Sequence, residues 1–183
     1  MCLSKSKGIP ALYDILVTDP PWAFSSNSKA NPGRNAMRHY PCMTDEEIAA
    51  LRLPVRPKAL CLMWTTAPML ARSLPILEAW GFTYKSQLVW VKDKIGLGFW
   101  ARNQHEIVLI GTRGGFPCPR PAPFPSSVIS APVREHSQKP EELQDWIDAA
   151  WPDARKLEMF ARRKRKNWAR WGNQTDKFEE IGE

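Results

Sequence analysis

The run Asp19-Pro20-Pro21-Trp22 holds the residue types in this chain best suited to chemistry. It follows the apolar stretch from Tyr13 to Thr18, so it stands where a buried strand should end. An amine on an aromatic ring is a weak nucleophile, because its lone pair is delocalised into the ring. A carboxylate and a backbone carbonyl that accept its N–H groups favour a more pyramidal, more reactive nitrogen. Asp19 supplies the carboxylate and Pro20 the carbonyl. Both prolines have restricted φ, and Pro21 biases Pro20 away from the helical region. The Pro20 carbonyl is therefore held as a preorganised acceptor. Trp22 offers a face on which a planar ring can stack. The run would suit methylation of a ring amine such as that of adenine. The same residues also make an ordinary strand-to-loop stop with a packing tryptophan, and a match this short decides nothing by itself.

Composition narrows the setting. A chain of 183 residues with 43% apolar and 25% charged residues predicts one globular domain, residues 1–183, long enough for a real core. Its formal net charge of +7 points to an anionic partner, nucleic acid first. Nine tryptophans give both core and potential stacking platforms for bases. Cys2, Cys42, Cys61 and Cys118 are scattered, as are His39, His105 and His136, so no metal site is expected. Cys61 reads as core and the other thiols as free in a reducing compartment. With no run of about 18 apolar residues and no signal-peptide core, a cytoplasmic protein with no membrane partner is expected.

The positioning elements follow from periodicity. Strands are expected over Tyr13–Asp19, Lys58–Trp64, Phe82–Lys92, His105–Gly111, Val128–Ala131 and Lys156–Phe160. Thr44-Asp-Glu-Glu47 is a capping-box pattern that opens a short helix through Leu51. Thr66 reads as the N-cap of a helix to Trp80, with Gly81 as its stop and Pro75 as a kink or break. Pro140 suits the first turn of a helix whose apolar face is Leu143, Trp146, Ile147, Ala150 and Trp151. Ala23 to Met43 is a polar loop of about twenty residues, long enough to be functional or disordered. The alternation predicts an α/β fold with a mostly parallel sheet and ligands at the strands' C-terminal edge. Asp19, Trp64, Lys92 and Phe160 all fall near expected strand ends.

The motifs, taken in order, resemble the MT-A type of S-adenosylmethionine-dependent adenine methyltransferases. They are Asp19-Pro-Pro-Trp22, His39-Tyr-Pro41 with Met43-Thr44, Leu62-Met-Trp64-Thr65, Leu88-Val-Trp-Val-Lys92, Val133-Arg134 with Lys139-Pro140, Leu157-Glu-Met-Phe-Ala-Arg162, and Trp171-Gly-Asn-Gln174. The resemblance implies a Rossmann-like class I methyltransferase sheet, permuted so that the target-amine motif precedes the cofactor motif, with helices on both faces. It implies S-adenosylmethionine as cofactor. Asp19 would contact the target amine and the cofactor's methionine end, Pro20 would lend its carbonyl, and Pro21 and Trp22 would complete the catalytic motif. Tyr40 would stand beside the target base. Lys139 would meet the cofactor's carboxylate, with Arg162, Asn173 and Gln174 on its ribose and adenine and Glu158 and Phe160 beside that pocket.

The residues themselves agree in part. Lys139 precedes a helix start, where ammonium and dipole both favour an anion, though it also reads as an exposed lysine. Asn173 and Gln174 carry amides fit for an adenine edge or ribose hydroxyls, though Gly-Asn is also a turn dipeptide. Tyr40 could equally pack under its loop, and Trp64 and Trp90 read as core. Two departures stand out. Arg163-Lys-Arg-Lys166 replaces a Pro-His-Asn segment of the mRNA enzyme, in a stretch two residues shorter. The family's acidic residue upstream of the target motif would fall at or before Met1, so Asp14 or nothing replaces it.

The cationic run Arg163, Lys164, Arg165 and Lys166 reads as a phosphate anchor with salt-dependent binding, or as a solvated loop. Arg34, Arg38 and Arg134 could add phosphate contacts. An adenine in a duplex must be flipped out before its amine is reached, and the loop after Trp22 would clamp it. The Phe-Ala-Arg-Arg and Trp-Gly-Asn pattern is closest to the short phage and bacterial relatives, many of which modify DNA. DNA is therefore the expected substrate. RNA is the alternative, and a non-catalytic nucleic-acid-binding partner subunit is a third reading that the intact Asp19 motif opposes. A second protomer or partner subunit could help hold the duplex.

Overall fold

A computed structural model describes residues 12–23, 42–98, 100–119, 126–135, 138–173 and 175. The strands are β1 (Tyr13–Thr18), β2 (Val55–Thr65), β3 (Thr83–Val91), β4 (His105–Arg113), β5 (Val128–Ser130), β6 (Lys156–Met159) and β7 (Trp168–Trp171). The helices are α1 (Asp45–Ala49), α2 (Leu70–Ala79) and α3 (Glu142–Ala150). The strands form one seven-stranded sheet in the order β5-β3-β4-β2-β1-β6-β7. Four of its six pairings are parallel, while β4 runs antiparallel to both β2 and β3.

β1 pairs with β2 on one side and β6 on the other. It is covered on both faces, so its apolar run is continuous rather than alternating. Leu16, with Cys61, Met63, Leu109 and Leu157, faces the side that carries α1 and α2. Ile15 and Val17, with Leu60, Leu62, Trp64 and Val108, face Leu143 and Ile147 of α3. Helices on both faces of an α/β sheet are thus what the fold presents.

The local signals around α1 and α2 act in different ways. Thr44 and Glu47 exchange both capping-box bonds, at 2.8 and 3.2 Å, as the sequence predicts. Thr66 makes no side-chain cap. A 3-10 turn over Ala67–Met69 leads into α2 instead. Pro75 does not split α2. It lies on the exposed side with Ala71, so the carbonyl it leaves unbonded is open to water. Gly81 takes φ +79° just past the helix, the left-handed stop that glycine allows.

β7 is absent from the sequence reading. Trp168-Ala-Arg-Trp171 has neither clear alternation nor an apolar run. It becomes a strand by pairing in parallel with β6. Only residues 160–167 join the two strands, fewer than the dozen or so that a parallel crossover usually needs. Phe160 at φ 60° and Asn167 at φ 64° make the sharp corners of this short connection.

Candidate active site

β1, β2, β6 and β7 are mutually parallel, so their C-terminal ends share one edge. Antiparallel β4 brings its first residues to that same edge. Asp19 follows β1, Lys92 follows β3, Glu106 opens β4, Lys139 leads into α3 and Arg162 lies beyond β6. Together they form a row of alternating charge. Lys92 Nζ lies 2.6 Å from Glu106 Oε1, and Glu106 Oε2 lies 3.2 Å from Lys139 Nζ. Lys139 Nζ lies 2.9 Å from Asp19 Oδ2, which Arg162 approaches at 3.7 Å. Beneath the row, Trp64 and Trp90 meet edge to face at 6.1 Å, with Lys139 over the first and Lys92 over the second. Both rings are core, as expected, and each also lends a π-face to a cation.

Burial opposes the charge on Lys139, but Asp19 and then Glu106 outweigh it and raise its pKa above the ordinary value. Burial likewise opposes ionisation of Glu106, yet Lys139 and Lys92 hold its carboxyl below the usual range. Lys139 and Glu106 are therefore both charged at neutral pH. Among the described residues, both ion pairs of Asp19 fall on Oδ2, which leaves Oδ1 for another donor.

The motif after β1 is a compact turn. The Trp22 N–H donates to the Pro20 carbonyl at 2.9 Å, which closes a three-residue turn around Pro21. A carbonyl has two lone pairs, so Pro20 keeps one acceptor position while its direction is locked. The Met43 N–H donates to the Pro21 carbonyl at 2.9 Å and the Ala23 N–H to the Met43 carbonyl at 3.2 Å. The loop between Ala23 and Cys42 is thus cinched at its base. Trp22 departs from expectation: it is buried in the core beside α1 and α2, not an open stacking face. Packing of that ring anchors the turn. Arg34, Arg38, Tyr40 and Gln174 lie outside the described residues.

Of the expected cofactor residues, Asp19, Lys139, Glu158, Phe160, Arg162 and Asn173 lie along this edge or just beyond it. Glu158 on β6 is pushed up to about 7 by burial, then by the nearby charge of Asp19; a hydrogen bond from Gln144 and the charges of Arg165 and Arg162 offset part of this. Phe160 packs edge to face on Trp171 at 5.2 Å. Gly172 passes so close behind it that a Cβ there would lie 3.0 Å from Phe160 Cα. Asn173 follows on the exposed side.

The cationic run needs correction. Arg163 and Arg165 do not face solvent as phosphate anchors. Arg163 has a side chain only 9% exposed and pairs with Glu141. Arg165 reaches Glu141 at 3.4 Å, Asp145 at 2.6 Å and Asp148 at 2.8 Å. Arg134, another expected phosphate contact, lies 3.2 Å from Glu141. Lys164 and Lys166 are exposed. The physical reason is the short connection after β6, which must lie against α3, where Glu141, Asp145 and Asp148 present one acidic stripe at helical spacing.

Glu106, Gln144 and Glu141 did not emerge from the sequence as site residues. Glu106 opens an otherwise apolar run, and a carboxylate at the mouth of a buried strand is the one signal that could have pointed to it. Glu141 and Gln144 look like any polar residues at a helix start.

The seven-stranded sheet with helices on both faces is consistent with a Rossmann-like methyltransferase fold. A family model described as MT-A70 matches residues 13–174, and the chain belongs to that family. It is 32% identical over 178 residues to the type II methyltransferase M.MunI of Mycoplasma sp, spanning 87% of this chain and 76% of that protein. It is 29% identical over 182 residues to the MT-A70-like N(6)-adenosine-methyltransferase of Arabidopsis thaliana. It is 28% identical over 182 residues to the N(6)-adenosine-methyltransferase catalytic subunit METTL3 of Homo sapiens. The chain spans 25% and 28% of those two proteins, against 93% and 90% of its own length.

Proposed function

We propose that this methyltransferase transfers a methyl group from S-adenosylmethionine to the exocyclic N6 amine of adenine in DNA. The observation that carries the reading is the Asp19 carboxylate, held by Lys139 and Arg162 beside the locked Pro20 carbonyl. Asp19 Oδ1 and Pro20 O accept the two N–H groups of the amine, and the lone pair is freed from the ring. These acceptors are fixed before substrate arrives, so they cost no reorganisation at the moment of reaction. Asp19 is also placed to receive the proton that the alkylated nitrogen sheds on its way to water.

The residues present fit the cofactor. Lys139 has three N–H donors and spends two on Asp19 and Glu106, leaving one for a carboxylate. Asp19 and Glu158 are acceptors for an ammonium and for ribose hydroxyls. Thr18 Oγ1 and Gln144 Oε1 are buried without a partner among the described residues, as groups awaiting a polar ligand would be. When bound, S-adenosylmethionine supplies an electrophilic methyl group on a sulfonium. Lys139, Asp19 and Glu158 would hold its methionine and ribose ends, with Arg162, Phe160, Asn173 and Gln174 around the nucleoside.

DNA is favoured by the match to the type II methyltransferase across most of that protein's length, and by the Phe-Ala-Arg-Arg and Trp-Gly-Asn pattern. The net charge of +7 suits either nucleic acid. A second reading, adenosine in RNA, is favoured by the names of the plant and human relatives. Cys61 and Cys118 form no disulfide, which supports a reducing, cytoplasmic setting, and among the described residues no helix is long and apolar enough to cross a membrane. The test is incubation with methyl-labelled cofactor and matched DNA or RNA oligonucleotides, followed by nucleoside mass analysis. Methyladenine in the DNA arm is expected. Label in RNA alone would move the substrate to the second reading.

A further inference from the structure

Residues 92–98 and 100–104, between β3 and β4, fold back on each other as a finger. The Lys92 N–H donates to the Gln104 carbonyl at 2.9 Å, and the Gln104 side chain returns a bond to the Lys92 carbonyl at 3.0 Å. Further out, the Gly96 N–H donates to the Asn103 carbonyl at 2.7 Å, and the Asn103 N–H donates to that of Leu97 at 3.3 Å. Arg102 Nε clamps the Gly96 carbonyl at 2.9 Å. The tip is tight enough to require glycine. A Cβ on Gly96 would sit 2.8 Å from the Asn103 carbonyl oxygen, and one on Gly98 would run into that of Ala101.

On this tip stand the three most exposed large apolar side chains among the described residues: Ile95 at 62%, Leu97 at 63% and Trp100 fully exposed at 103%. A single exposed apolar residue needs no explanation, but three gathered on one pinned finger form a surface with a use. The finger springs from the active edge. Its root, Lys92, is bound to Glu106, which shares Lys139 with Asp19. Two arms of about six residues can carry the tip up to about 20 Å beyond the strand ends. Lys94 and Arg102, both exposed, bracket the tip with positive charge.

We propose that the finger is a base-stack wedge, and that Trp100 enters the duplex to fill the gap left when the target adenine swings out toward Asp19. This rests on the adenine reading above. Flipping leaves two neighbouring base pairs unstacked, and an aromatic face recovers the lost stacking whatever the sequence. Lys94 and Arg102 are placed for the flanking phosphates. Three side chains at a tip fall short of the roughly 800 Å² per partner that a stable protein interface buries, and the net charge of +7 repels a second copy. The observations therefore favour a polyanion over a protein as the occupant.

The test compares Trp100→Ala, Trp100→Phe and wild type on one adenine-containing DNA strand, presented alone and in a duplex. A single strand has no paired stack to refill. Trp100→Ala is expected to lower kcat/KM on the duplex about ten- to hundredfold, within the range for losing one base–aromatic contact. Its activity on the single strand should stay within about twofold, and Trp100→Phe should keep most duplex activity. With 2-aminopurine as target, the fluorescence rise on duplex binding should shrink in Trp100→Ala. Equal losses on both substrates, or no loss on the duplex, would overturn the wedge. So would a shift from dimer to monomer in sedimentation, which would make the finger a self-association surface. A wild-type enzyme active on single strands but not on duplex overturns the wedge and spares the adenine reading. One that methylates neither overturns both.

Discussion

Two ion-pair networks lie on either side of Pro140, built from the same residue types. On one side Lys92, Glu106, Lys139, Asp19 and Arg162 run along the strand tips. On the other, Glu141, Asp145 and Asp148 of the α3 region grip Arg134, Arg163 and Arg165. The first joins elements that converge on the open edge, and its central members keep spare donors and acceptors. The second closes on itself: Arg165 alone meets three carboxylates, and Asp148 also takes Lys156 and the indole N–H of Trp168. A site needs charge with capacity left over, whereas a brace uses its capacity up. The brace nonetheless serves the site, because Glu141 and Arg163 adjoin the segments that carry Lys139 and Arg162.

The largest expected effect falls on the open network. Asp19→Ala should lower methyl transfer by about two to three decades, the range for losing one preorganised transition-state contact, with the protein still folded because Lys139 keeps Glu106. Steady-state rates with circular dichroism as a folding control check this. Activity within a few-fold of wild type would erase the distinction between the networks.

Glu141→Ala strikes the brace and should do the reverse. It leaves Arg163 buried without its carboxylate. A loss of about 2–3 kcal/mol is expected, below the roughly 3–5 kcal/mol for a fully buried pair because water can reach part of the cluster. Denaturant unfolding reads it. Unchanged stability with a lost rate would mean that Glu141 belongs to the site.

Glu158 lies between the networks, near both Asp19 and Arg165. Its folded pKa of about 7 exceeds the usual 4.5, so the native state holds the proton more tightly than the unfolded chain. The associated stability is complete below about pH 4.5 and is lost as pH rises through about 7. Glu158→Gln should therefore gain on wild type as pH rises from 5 to 8, by about 1–3 kcal/mol at most. Thermal unfolding across that range decides it, and a gap that does not grow with pH would show that Glu158 is ionised without penalty.

The smallest effect separates exposed from braced cations within one run. Replacing Lys164 and Lys166 with alanine should make the log–log salt slope of duplex binding shallower by about 1.8 units if both meet phosphates, at about 0.9 each. Anisotropy across a salt series measures this. An unchanged slope would leave the run as pure scaffold and return the phosphate contacts to other basic residues.

Much of the frame was legible in the residues. Apolar runs located six strands, most plainly β1, which is covered on both faces and so has to be apolar along its length. Thr44 and Glu47 announced their capping box through side-chain chemistry that acts within one turn. Asp19-Pro-Pro-Trp22 marked a stiff turn at a strand tip, since proline restricts the backbone wherever it stands. What stayed hidden depended on partners distant in sequence. β7 exists by pairing with β6, and Pro75 is tolerated because its side of α2 faces water. Trp22 could have faced a ligand or the core, and packing beside α1 and α2 chose the core. Charge was the least legible of all. Arg163 and Lys164 are neighbours with the same sign, yet one is buried on Glu141 and the other is exposed. Sequence alone determined which residues can ionise, stiffen or pack, because those are properties of the side chain and its nearest neighbours. The tertiary structure decided which charges meet, because an ion pair is set by distance in space, and the short crossover after β6 brings Arg163 and Arg165 onto the acidic stripe of α3.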